Sequence, residues 1–198
     1  MADDRVFQEH VQIPVRVGRY LVVCSRRAVQ TWLTEGRKIA PAYPYPECRE
    51  SRGVFVTITR QGDLRGCIGF PWPVYPLEEG VIEAAIAAAI QDPRFPPVTP
   101  DELPDLRFEV SVLTQPQRVA RDRVQTDVVI GRDGLIIAYG HRRGLLLPQV
   151  AARFGWDVRA FLAHTCIKAG LPEDAWQWPD ARIWTFQTQI FHEGEEGS

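Results

Sequence analysis

Val54-Phe55-Val56-Thr57-Ile58-Thr59 is an unbroken run of β-branched and aromatic residues. No other stretch constrains the fold as tightly, because such residues favour a pleated, half-buried strand. Arg60-Gln61-Gly62-Asp63 has the composition of a turn, and Leu64 to Ile68 returns as a second strand, so the region predicts a β-hairpin. Side chains alternate along a strand. On that rule Arg65, Cys67 and Gly69 share one face, and Leu64, Gly66 and Ile68 the other.

Pro71-Trp72-Pro73 breaks the returning strand. Residues 77–91 then carry Val81, Ala85 and Ala89 at helical spacing, in a helix whose small residues allow close approach to a sheet. Asp92-Pro93 ends it, since the residue before proline avoids helical angles. Upstream, Leu21, Cys24, Ala28 and Trp32 predict an amphipathic helix over about 18–35, stopped by Gly36. Thr99-Pro100-Asp101-Glu102 reads as a capping box opening a short helix. Arg107 to Leu113 reads as a strand and 115–126 as a loop. Asp127–Ile130 and Leu135–Tyr139 read as a second hairpin about Gly131-Arg132-Asp133-Gly134. Helices follow from Pro148 to about Phe154 and from Asp157 to Gly170, and Arg182–Phe191 closes the chain as a strand.

Hairpins outnumber parallel crossovers, which predicts an α+β fold, mainly an antiparallel sheet of hairpins packed with helices. A hairpin followed by a helix occurs near 53–91 and again near 127–169, the order expected of an internal duplication. Residues 1–17 read as an N-terminal extension, 18–192 as the domain and 193–198 as a flexible acidic tail. Pro41, Pro44 and Pro46 mark 36–52 as the place for a small second lobe.

With 198 residues the chain can bury a core without staples. The four cysteines fall into no CxxC and no zinc spacing, so they read as reduced thiols of a cytoplasmic protein, and no metal is expected. The first residues are acidic rather than a signal sequence, and no apolar run is long enough to span a bilayer. A net charge of −2 carries no basic excess, so nucleic acid is an unpromising partner. There is no GxGxxG and no Walker sequence, and no cofactor is expected.

Gly53-Val54-Phe55-Val56-Thr57, the LRGCIG run at 64–69 and Asp92-Pro93-Arg94-Phe95-Pro96 together resemble the AMMECR-one domain family. Glu109-Val110-Ser111-Val112-Leu113, Ile130-Gly131-Arg132-Asp133-Gly134, Leu146-Leu147-Pro148-Gln149-Val150 and Cys166-Ile167-Lys168-Ala169-Gly170-Leu171 extend the likeness. It covers nearly the whole chain, and LRGCIG is its most specific piece. The resemblance implies a two-part α/β fold and, for the microbial type that this chain is more similar to, association with Memo-type and radical SAM proteins. The animal type carries a histidine where this chain has Asp133, so chemistry needing that histidine is not expected.

Cys67 is the sharpest candidate for chemistry. A thiol attacks as thiolate, and a neighbouring cation such as Arg65 would lower its pKa. Gly66 and Gly69 leave room for a ligand, or equally for a packed helix. His141, in a Gly/Arg-rich loop, is the weaker candidate for a base; His10 and His192 lie near the ends, and His164 is helical. Asp92 and Arg94 are expected to pair, fix a loop or meet an anion. Glu109 is expected to pair with Arg65 or Arg94, or to act as a base. Trp156, Trp176, Trp178 and Trp184 read as core rather than as stacking platforms. The leading expectation is a binding or accessory protein with a pocket lined by Arg65, Cys67, Asp92 and Arg94. The alternatives are a cysteine-dependent enzyme and a nucleic-acid or translation-machinery adaptor.

Overall fold

The computed structural model describes residues 12–194. The expected extension up to residue 11, with His10, and the acidic tail from residue 195 lie outside them. The described residues divide into two compact units: one runs to Val112 and resumes at Gln189, and the other is Leu113–Thr188.

The first unit opens with α1 (Val15–Glu35), which buries Val17, Leu21, Cys24 and Ala28 on one face. Gly36 ends it at φ 66, and its N–H donates to Trp32 O at 3.0 Å. Only glycine takes that left-handed turn without a Cβ penalty. The hairpin forms as expected, from β1 (Val54–Arg60) and β2 (Asp63–Phe70). α2 (Leu77–Ile90) follows and is buried along most of its length, packing on β1, β2 and α1. Its alanines let the backbone come so close that a Cβ on Gly66 would lie 2.1 Å from Ala88 O. β3 (Leu106–Leu113) pairs antiparallel with the other side of β1. With β8 (Thr188–His192) the sheet order is β2-β1-β3-β8.

Residues 36–52 fall within this first unit. The Glu78 carboxylate, 1% exposed, accepts the Ala42 and Tyr43 N–H groups at 2.8 and 2.7 Å and the Tyr20 hydroxyl at 2.6 Å. A buried carboxylate needs such donors, and here they tie the proline-rich segment to α1 and α2.

The second unit differs from expectation in its hairpin. Its arms are β5 (Gly134–Tyr139) and β6 (Arg142–Leu146), not Asp127–Ile130 and Leu135–Tyr139. Asp133, 3% exposed, accepts the Val129 N–H at 2.9 Å, which folds 129–133 into a turn and keeps Val128–Ile130 out of the sheet. Gly140, at φ 58, makes the hairpin tip. Within the expected loop 115–126 lies a short strand, β4 (Gln117–Val119), and α3 (Val124–Asp127) begins there. α4 (Pro148–Phe154) and α5 (Val158–Lys168) follow as expected, the latter capped by Asp157, which accepts from Ala160 N at 2.8 Å. The last expected strand divides at Gln187 into β7 (Arg182–Phe186), in this unit, and β8, in the sheet of the first. The second sheet runs β4-β7-β5-β6.

One arrangement occurs in both units. A hairpin leads to a helix, and the strand after the helix returns beside the hairpin's first strand. Ile58 stands between Gly66 and Phe108, as Ile137 stands between Gly144 and Ile183. A Cβ on Gly144 would lie 2.4 Å from Thr165 O of α5, the counterpart of the contact at Gly66. Both glycines exist where a helix backbone rests on the second arm of a hairpin.

Candidate functional site

The face of the first sheet turned away from α2 is polar at its centre. Thr57 of β1 pairs with Cys67 of β2 on one side and with Glu109 of β3 on the other. The Cys67 peptide faces outward from the sheet, because its N–H donates to Asp92 Oδ2 at 2.9 Å beyond the edge of β2. Thr57 and Cys67 are therefore a non-hydrogen-bonded pair, the kind in which opposite side chains stand closest. The Thr57 hydroxyl donates to Cys67 Sγ at 3.4 Å.

Asp92, 4% exposed, organises this edge. Besides the Cys67 amide it accepts Arg94 N and Nε through Oδ1, at 3.1 and 2.9 Å, and Arg94 Nη2 through Oδ2 at 2.6 Å. The Arg94 guanidinium foremost, then the backbone donors, hold the carboxyl far below the usual carboxylate range against the opposing effect of burial. Arg94 Nη2 also reaches Cys67 O at 3.4 Å, so side chains satisfy both polar groups of that edge peptide. The guanidinium is about half exposed, and its Nη1 has no partner among the described residues.

Arg65 does not serve Cys67. A register shift between Ile58 and Thr59 leaves it without a partner across the ladder. Its guanidinium instead grips Glu102 with two bonds, at 2.9 and 3.0 Å, and donates to the Pro96 and Pro97 carbonyls. Glu102 also closes the capping box on Thr99. Arg65 holds its carboxyl down at about 2. Gly66 and Gly69 hold no ligand space either. The first is filled by α2, and a Cβ on the second would lie 2.3 Å from Val54 O.

Glu109 pairs with neither Arg65 nor Arg94. Its Oε2 lies 3.3 Å from His192 Nδ1, and its Oε1 lies 3.5 Å from Ser111 Oγ. His192 and Thr57 are the residues of this group that sequence reasoning passed over. His192 looked terminal, yet β8 returns it to the sheet. The register opposite Cys67 would have pointed to Thr57, but only with the bulge at Arg65 known. His141 belongs to the second unit, at the tip of the β5–β6 hairpin, and His164 there stacks on Trp156 with ring centres 3.8 Å apart.

Burial pushes the Cys67 thiol above its ordinary range. The Thr57 hydrogen bond and the Arg94 charge oppose this, while Glu109 and Asp92 add to it. That direction favours the protonated thiol, which is the poorer nucleophile. Cys24, Cys48 and Cys166 are buried, whereas Cys67 is half-buried. Among the described residues no group of His, Cys, Asp and Glu is placed to hold a metal ion, and no helix is long and apolar enough to cross a membrane.

The family model AMMECR1 matches residues 22–191. A protein of Thermococcus gammatolerans is 50% identical, covering 89% of this chain and 90% of that one. A protein of Methanothermobacter thermautotrophicus is 49% identical over 89% of this chain and 94% of its own. The crystal structure of uncharacterized protein PH0010 from Pyrococcus horikoshii is similar at a TM-score of 0.86 and 46% identity, covering 92% of this chain and 94% of that one.

Proposed function

The chain belongs to the AMMECR1 family, and from that membership we propose that it is a cytoplasmic binding or accessory protein whose contact surface is the polar group around Cys67. The observation that carries this reading is the state of Arg94. A buried carboxylate fixes its fork, and one edge of the guanidinium is left for an incoming acceptor. Donors held in place in advance bind without a further ordering cost. Thr57, Glu109 and His192 supply neighbouring polar atoms, while the sulfur remains protonated. The expected partners are the Memo-type and radical SAM proteins of the same genome.

The test is a pull-down of those two proteins with the tagged chain, repeated with Arg94→Lys, which keeps the charge beside Asp92 and loses the planar fork. Association with either partner, weakened by the substitution, supports the reading. No association, together with a surface around Arg94 closed to small carboxylates and phosphates by NMR titration, would remove it.

A cysteine-dependent enzyme is the second reading. It is favoured by Cys67 being the half-buried one of the four thiols, with a hydroxyl donating to its sulfur. It requires a thiolate at working pH, which separates the two readings by experiment.

A further inference from the structure

On the second unit's sheet, Trp184 stands beside two arginines. Arg118 of β4 is its partner across the ladder, and Arg182 precedes it by two residues on β7. Cross-strand partners and residues two apart share a face. Each guanidinium carbon lies 5.7 Å from the centre of the Trp184 ring. In the adjoining row Ala138 pairs with both Arg182 and Arg143, which brings a third arginine to that face.

A guanidinium carries five N–H donors and cannot shed its charge. Some arginines of this unit spend their donors on the protein: Arg132 grips Asp133, and Arg142 donates to Gly170 O at 2.6 Å. Arg118 and Arg182 make no hydrogen bond and no ion pair among the described residues; their contact is with Trp184. Arg182 is half-buried, while Arg118 is exposed. The indole steadies both cations without using their N–H groups. The charge of the unit points the same way. Leu113–Thr188 holds ten Lys and Arg against seven Asp and Glu, a net of +3, in a chain whose net charge is −2.

We propose that Arg118, Trp184 and Arg182 form a binding site for a small ligand bearing an oxyanion, the chemistry shared by phosphate esters and carboxylates. Paired guanidinium donors match either group. The site uses no residue of the Cys67 group, so it stands or fails independently of the function proposed above.

The test titrates the full chain with pyrophosphate and, separately, with citrate, following tryptophan fluorescence at constant ionic strength against sodium chloride. A saturable change that is absent from Trp184→Phe is expected. By calorimetry, Arg118→Gln and Arg182→Gln should each weaken binding about tenfold, with Arg182→Lys in between. Preference for pyrophosphate would identify the ligand as a phosphate ester, and preference for citrate as a carboxylate. Arg118 is exposed, so its variant carries the test if Arg182→Gln does not fold. No saturable change with either anion, or unchanged affinity in a folded Arg118→Gln, would overturn the proposal.

Discussion

The Asp92 carboxylate accepts the Cys67 amide from outside the sheet, and so does for the open edge of β2 what another strand would do. Unpaired strand edges invite wrong pairing. Here one acidic side chain covers the edge and holds the arginine that stands beside the thiol.

Asp92→Ala should therefore act on stability as well as on binding. It strands the edge amide and frees Arg94 to wander into water. A loss of roughly 2–3 kcal/mol is expected from the forfeited charge-assisted bonds. Urea unfolding measures it; a midpoint equal to wild type would mean the edge needs no cover.

Acid should erode the fold through the same kind of contact. Glu102 is held at about 2 by Arg65, below the roughly 4.3 of an unfolded glutamate. Between those values the unfolded chain binds more protons, so stability rises with pH. The contribution of Glu102 is complete above about pH 4.3 and is lost as pH falls toward about 2. Urea midpoints from pH 2 to 6 should fall less steeply on the acid side for Glu102→Gln than for wild type.

Gly66→Ala tests whether that glycine serves packing or a ligand. A Cβ there meets the Ala88 carbonyl at 2.1 Å, so α2 has to move. Overpacking of this kind costs about 1–3 kcal/mol or more. Gly144→Ala, at 2.4 Å from Thr165 O, should behave alike in the second unit. Thermal unfolding that leaves both variants at the wild-type midpoint would deny the close helix–strand contacts.

Local signals carried most of the fold. The β-branched run of β1, the glycine stop after α1, the capping box at Thr99 and the proline start of α4 each act over a few residues, and each is where its chemistry placed it. What could not be read depends on distant partners. The bulge that sends Arg65 to Glu102 arises from pairing, not composition. Val128–Ile130 has strand propensity, yet the Asp133 carboxylate folds its neighbourhood into a turn. Arg182 to Phe191 is one strand-prone stretch that two sheets share. The candidate site was half legible. Cys67, Asp92 and Arg94 come together, but His192 joins Glu109 only because β8 returns to the first unit.

The pH dependence of Cys67 alkylation, with peptide mass spectrometry to separate the four thiols, decides whether the group around Cys67 binds or reacts. A binding surface requires a slow reaction at neutral pH that rises only above the ordinary thiol range of about 8.5, and rises later still in Thr57→Val. Reaction persisting well below that range would instead make Cys67 a stabilised thiolate and the protein a cysteine-dependent enzyme.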